Sequence, residues 1–581
     1  MNEVIDPLVL VIVGVVVIAV ATAIGPKLNV AGPLILVLLG IGVSLLPFVP
    51  PVYVHPELIL VGILPPLLYS AAVSLPAIEF RRDFGPIAGL SVLLVMISAL
   101  VLAFVFTALI PGLPFLLALA LGAILSPTDA VATSIVKRLG ISRRVVTLLE
   151  GESLLNDATS LVILRVAIAA LAAGGSFTAG TIVWAFVWGA LIAIVIGVVV
   201  GFLNLRLRAL IRHSAANTAV GLVVPFAAYI PTEHLGGSGL VAAVVAGIVT
   251  GQGAARWFTP EQRLSDELNW RTIELVLEGA VFLLMGLELK DILDQNAKSD
   301  HGIWQGVWLA AIALAIIMIV RAGWVSLLVA LQSRRARGKQ RGRLEAFGTR
   351  LDDLSQAPPG ETSARRRTPD PVHRERRIAG ARSRLSRALA DLDYYQASPL
   401  GWKHGTIIVW AGMRGVVTLA AAQTLPEHDD RALLVFIAFL VAVGGLVLQG
   451  FTLPWLVRML HLDQGDDEGV NREDQKRIDD ELRTAAAAAL LSPDLRRRDG
   501  AEFPPGLAAK AGARFTQPPD EEVTAKAQEF LELRLAMIAA MRLRLLELSS
   551  DGVYSTPALR HALAELDADE ISLQLRLDDE D

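Results

Sequence analysis

The chain has 581 residues, 54% of them hydrophobic, and a mean hydropathy of +0.54, too apolar for an ordinary soluble protein. It has no cysteine, which excludes a disulfide framework and a thiolate metal centre. The formal net charge of -5 is modest, so no nucleic-acid partner is expected, and the placement of charge matters more than its sum.

Apolar runs recur from Leu8 to about Leu460. A spanning helix needs about 20 mainly apolar residues, which predicts about 13 spans. They fall near 7–24, 30–49, 57–77, 84–110, 114–136, 146–173, 179–205, 216–232, 238–252, 273–293, 304–331, 403–424 and 432–461. The first run lacks a basic leader and a small-residue cleavage site, so it reads as a retained span. The fold class expected is an all-α polytopic membrane protein.

In span 5 the run Ser126-Pro127-Thr128-Asp129 interrupts the helix. Pro127 removes a backbone donor and clashes with the preceding turn. In a bilayer such a break is tolerated only where the freed carbonyls face protein, water or an ion. Unwound backbone beside the Asp129 carboxylate suits a cation site.

Span 6 carries Glu150, Glu152 and Asp157 within the run 148–160. A charge at the bilayer centre costs about 2.5–3.5 kcal/mol on insertion scales, so such groups are functional candidates. Ser153 and Asp157 are four apart and share a helix face; Glu152 and Asn156 share the neighbouring one. The first pair reads as cation ligands. Glu152 reads as half of a buried ion pair, with Arg321 in span 11 and Arg414 in span 12 as candidate partners. Arg165, two turns past Asp157, snorkels or pairs locally. Glu150 has no assigned role. Arg414 lies in a second break, Gly412-Met413-Arg414-Gly415. Paired interrupted helices in the two halves of a membrane domain point to inverted repeats with a site between them.

Between spans 11 and 12 lies a polar insert, 333–398, rich in arginine and proline and expected to have a disordered centre, with 372–395 as a candidate amphipathic helix. The membrane domain is placed at 1–461 and a helical cytoplasmic tail at 462–581, with Lys476–Leu491 and Glu521–Leu548 as its helices. Counted by the span they follow, the odd loops carry Lys27, Arg81, Arg82, Lys137, Arg138, Arg143, Arg144, Arg206, Arg208, Arg212, Arg256, Arg263 and Arg271. The even loops carry little beyond Lys290, Lys298 and Arg431. Positive residues stay in the cytoplasm, which places the N-terminus outside, the C-terminus inside, and requires an odd number of spans.

The motifs Ser-Pro-Thr-Asp-Ala-Val, Leu-Leu-Glu-Gly-Glu-Ser-Leu-Leu-Asn-Asp-Ala-Thr and Gly-Met-Arg-Gly-Val-Val together resemble the NhaP-type sodium/proton antiporters, the monovalent cation:proton antiporter-1 family that includes the animal sodium/hydrogen exchangers. The resemblance covers the membrane domain; the insert and tail lie outside it. It implies an NhaA-like antiporter fold with inverted repeats and two discontinuous helices. It also implies a plasma-membrane homodimer and exchange of Na+ (or K+ or Li+) for protons without a cofactor. By the same resemblance Asp157 carries the proton or cation, with Ser153, Thr128 and Asp129 as further cation ligands. Glu152 pairs with a buried arginine, Arg321 first and Arg414 second, beside Asn156. Many relatives have an acid where this chain has Ser70, so one acidic ligand is missing.

A single Asp157 that binds either ion, beside an Asn156 that cannot titrate, leads to the expectation of electroneutral one-for-one exchange serving pH and sodium homeostasis. Three rivals differ in what they require. A K+/H+ antiporter of the same fold differs only in ion choice. An intramembrane aspartyl protease using Asp129 and Asp157 would need a Gly-x-Gly-Asp motif, which the sequence lacks. A channel would not need a carboxylate that must be neutralised to move.

Overall fold

The computed structural model describes residues 2–336 and 399–462, apart from 29, 48, 130, 174–178, 212 and 298–301. It also describes scattered residues between 347 and 395 and between 534 and 573. The chain separates into two units, Met1–Asp466 and Asp467–Asp581. Every regular element among the described residues is a helix.

The first unit runs through α1 (Asn2–Leu28), α2 (Gly32–Ser44), α3 (Leu64–Ser74), α4 (Ala77–Arg82), α5 (Phe84–Ala88) and α6 (Leu94–Leu109). It continues with α7 (Phe115–Leu125), α8 (Val131–Arg138), α9 (Arg143–Ala172), α10 (Ala179–Leu210), α11 (Ser214–His234) and α12 (Gly239–Trp257). It ends with α13 (Pro260–Leu287), α14 (Leu289–Ala297), α15 (Ile303–Ala336), α16 (Trp402–Trp410), α17 (Val416–Gln423) and α18 (Arg431–Leu460). Six of these stretches are long and apolar enough to cross a membrane: Phe84–Leu109, Arg143–Ala172, Val187–Leu210, Ala215–His234, Ile303–Gln332 and Arg431–Leu460. Five apolar helices are shorter: Val11–Gly25, Gly32–Ser44, Leu58–Ser74, Phe115–Leu125 and Gly239–Ala254. The shortfall from about 13 long spans has local causes. The segments around Pro127 and Gly412–Gly415 leave helical geometry, which cuts two stretches short. In addition, α13 is too charged to read as a plain apolar span.

Local chemistry sets these ends. α7 stops at Leu125 because Pro127 cannot continue the ladder. α13 starts at a capping box: Thr259 Oγ1 accepts from Gln262 N, Gln262 Oε1 accepts from Thr259 N, and Pro260 takes the first helical position. At 28 residues it is longer than a bilayer core requires, so its charged first turns extend beyond the apolar zone. Close packing relies on small residues, as in membrane proteins generally. A Cβ at Gly122 on α7 would collide with Ala99 O on α6, and one at Gly251 on α12 with Val73 O on α3.

Several buried charges in the unit are paired. Arg144, on the first turn of α9, meets Asp83 at 3.0 Å, which offsets its unfavourable place at a helix N-terminus. Arg208, counted above as a loop base, is fully buried on α10 and held by Asp266 at 2.6 Å and by Asn217. Two insert residues are described against this unit. Tyr394 donates to Asp83 Oδ2 at 3.0 Å and Tyr395 to Arg82 O at 2.6 Å. Most of 372–395, the insert's centre and Lys476–Leu491 lie outside the described residues. Within Glu521–Leu548 isolated helical residues from Arg534 to Met541 are described.

Candidate functional site

The two non-helical segments, 126–129 and 411–415, meet. Asp129 N donates to Met413 O at 2.8 Å. Arg414, 2% exposed, donates from Nε to Leu125 O at 3.1 Å, from Nη2 to Ser126 O at 3.5 Å, and to Gly412 O. Its cation thus sits on the carbonyls at the C-terminus of α7, where a helix dipole favours positive charge. Asp129 accepts from Val131 N at 3.2 Å and lies against Gly415, the residue before α17. A Cβ at Gly415 would overlap the Asp129 carboxylate, so the residue is required for space. Its φ of -128° is open to any residue.

α9 braces this crossing. Glu152, 1% exposed, forms a two-point bridge with Arg321, with Nη2–Oε2 at 2.8 Å and Nη1 on Oε1. Arg321 Nε donates to Ile408 O at 3.0 Å on α16. Thr128 Oγ1 donates to Glu152 Oε1 at 3.2 Å and accepts from Asn156 Nδ2 at 2.7 Å; the same amide reaches Thr128 O at 3.3 Å. Of the two candidate arginines, Arg321 is the one bridged to Glu152, while Arg414 binds carbonyls. The Asn156 side chain hydrogen-bonds Thr128, and no side-chain hydrogen bond joins it to Glu152 among the described residues. The Thr128 hydroxyl is committed to this framework.

Asp157 differs from every charge above. It is about nine-tenths buried, and no hydrogen bond or ion pair holds its carboxylate among the described residues. It lines a cavity of about 640 Å³, together with Ser153, Thr128 and Asp129. Ser153 Oγ donates to Glu150 O at 3.2 Å, which leaves its lone pairs available to a cation. The mouth is marked by exposed side chains that line the same cavity: Lys137 at 72%, Arg271 at 75% and Glu267 at 66%. Small hard cations take oxygen ligands, and a carboxylate with a hydroxyl beside unwound backbone supplies them.

The profile of the family described as the transmembrane sodium/hydrogen exchanger matches residues 14–347, more than half of the chain. The chain belongs to the sodium/hydrogen exchanger family. It is 38% identical over 282 residues to an uncharacterized Na+/H+ exchanger of Escherichia coli; that match covers 46% of this chain and about half, 51%, of the relative. It is 26% identical over 581 residues to an uncharacterized Na+/H+ exchanger of Mycobacterium bovis, covering 97% of this chain and 96% of the relative. That second match extends across the insert and tail, which the sequence motifs do not reach. The fold is similar to the sodium proton antiporter MjNhaP1 of Methanocaldococcus jannaschii. The TM-score is 0.55 at 16% identity, over 80% of this chain and all of that one. The family match and these relatives, whose names describe Na+/H+ exchangers, support cation/proton exchange in a multi-pass membrane protein.

Three acids of this exchanger-family cavity escaped sequence reasoning or were left without a role. Glu150 lies 4.0 Å from Lys137 near the mouth. Glu274 and Glu278 on α13 also line the cavity, as does Ser70 on α3. A usable signal existed: two carboxylates four apart inside an apolar run, the spacing that singled out span 6. Arg165 pairs locally, with Glu233 at 2.7 Å.

Proposed function

We propose that the chain exchanges Na+ for H+ across the plasma membrane, one for one, by alternating access, with Asp157 binding either ion. The observation that carries this reading is Asp157 itself: a buried carboxylate with no compensating donor, facing a cavity open at one end. A bare charge there is expensive to keep from water. Protonation removes the charge, and a cation neutralises it; both cannot occupy the same oxygens. That exclusion couples the two fluxes, and the unloaded carboxylate is the form that does not cross.

Each neighbouring residue has a part in this reading. Ser153 and Asp129 supply further oxygens, and Thr128 sets the break in place. Arg414 and Asp129 compensate the helix ends that the breaks expose, so the cavity keeps a polar floor without an obligatory bound ion. Asn156 cannot titrate, so one carboxylate carries one proton outward per cation inward, or the reverse.

The topology follows from charge. The six long spans, the five shorter apolar helices, α13 and the broken α16–α17 pair make 13 crossings, two of them discontinuous. An odd number with basic loops inside puts the N-terminus outside. The mouth at Lys137 and Arg271 is then cytoplasmic and the conformation inward-open. The Arg165–Glu233 pair, between α9 and α11, lies toward the external side. A homodimer is the assembly expected of the family.

The test uses the full chain in proteoliposomes with an acid interior and a trapped pH dye. Added Na+ is expected to dequench the dye saturably, more strongly than equimolar K+, and with no change when the membrane potential is clamped by K+ and valinomycin. Equal or greater K+ response reassigns the ion. Strong dependence on potential rejects one-for-one exchange, and non-saturable flux rejects a carrier.

A further inference from the structure

We propose that Glu278 is a cation-loading carboxylate of the cavity: it captures the entering cation on α13 and passes it to Asp157 on α9. The proposal rests on the exchange reading above and deepens it.

Glu267, Glu274 and Glu278 are seven and four residues apart, so they lie on one face of α13. All three line the cavity. They differ in how their charge is met. Glu267 is exposed at the mouth and pairs with Arg271 at 3.3 Å. Glu274 is half-buried and lines the cavity together with Lys137 and Arg271. Glu278 forms no hydrogen bond or ion pair among the described residues. Asp129 and Glu274 line the same cavity as further carboxylates.

That is not how this protein treats carboxylates kept for structure. Asp83 has Arg144, Glu152 has Arg321, and Asp266 has Arg208. Each arginine satisfies its acid inside the protein, as a buried charge requires. Glu278 and Asp157 line one cavity from different helices, and neither is bridged to an arginine among the described residues. A carboxylate in an acidic wall without a counter-ion concentrates cations from the mouth. Standing on a different helix from Asp157, it holds a cation without taking part in the step that carries Asp157 across.

The test compares wild type, Glu278→Gln and Glu278→Asp as full-length protein. The exchange assay gives KM and kcat for Na+. A second readout, the Na+ concentration that half-maximally raises the melting temperature in detergent, reports binding without transport. Glu278→Gln is expected to raise KM and the half-stabilising concentration about tenfold with kcat nearly kept, since one negative charge near the cation is lost. Glu278→Asp, with the charge on a shorter arm, is expected to return most of the loss. Unchanged KM in Glu278→Gln overturns the proposal. So does a fall in kcat at wild-type KM in folded protein, or an Asp variant no better than the Gln variant. If Glu278→Gln does not fold, Glu278→Ala takes its place: a raised KM at nearly kept kcat is expected, and an unchanged KM overturns the proposal. Failure of wild-type exchange with Na+ binding intact counts against the exchange reading and leaves the binding comparison to judge Glu278.

Discussion

Glu152 holds two things at once, the Arg321 guanidinium and the Thr128 hydroxyl, so it ties α9 to α15 and to the break after α7. Removing one partner of such a pair leaves a bare buried charge, worth about 3–5 kcal/mol of stability. Arg321→Met is therefore expected to lower the melting temperature sharply. Adding Glu152→Leu is expected to restore part of it, because no charge is then left unpaired. Thermal melting of the two variants checks this, and a double variant less stable than the single contradicts it. The sequence made Glu152 legible as a pairing acid, because a lone carboxylate in an apolar span demands a partner. It left Arg321 and Arg414 as alternatives, because both sit in later spans and only the tertiary arrangement separates them. Thr128 shows the converse. Its place beside Asp129 suggested a ligand, yet its hydroxyl is engaged by Asn156 and Glu152, contacts that no local spacing encodes. Glu278 was visible by the same rule that found Asp157, an acid inside an apolar run.

At the scale of elements, the breaks were readable from Pro127 and from Gly412 and Gly415, because these residues cannot sustain a helix. Their crossing was not, since the Asp129–Met413 bond joins segments nearly 300 residues apart. Another element contact shows how the insert reaches the membrane unit. Arg144 lies under the rings of Tyr394 and Tyr395, 5.5 and 4.8 Å from their centroids, while Tyr394 donates to the Asp83 that Arg144 also binds. Burial and the Asp83 carboxylate push the Tyr394 phenol up from its ordinary value. A raised phenol contributes stability that is fully present below the unfolded value of about 10 and lost as pH climbs toward the folded one. Tyr394→Phe is expected to cost about 1 kcal/mol. The difference in melting temperature between wild type and variant should stay level from about pH 6 to pH 9 and shrink only above it. A difference that fades on acidification contradicts this account of the contact.

At the scale of the whole molecule, the absence of cysteine makes sidedness directly testable. A cysteine at Arg271, exposed at the cavity mouth, is expected to react with an impermeant maleimide only from the cytoplasmic face. One at Trp304, 78% exposed at the start of α15, is expected to react only from outside. Labelling of both from the same face contradicts the topology. The charge bias carried this information in the sequence, although Arg144 and Arg208, counted among the loop bases, turned out to be buried and paired. The tail gave the sequence least to work with: its helical composition has no membrane pattern or motif to fix a role, and a relative matched along its length adds likeness without function. The proposed exchange rests on one side chain, Asp157. The most direct measurement compares wild type with Asp157→Asn in proteoliposomes carrying a pH gradient. The account predicts saturable Na+-driven proton flux in the wild type and none in the variant, with the variant folded and of unchanged size. Sodium-driven proton flux persisting in Asp157→Asn would contradict it.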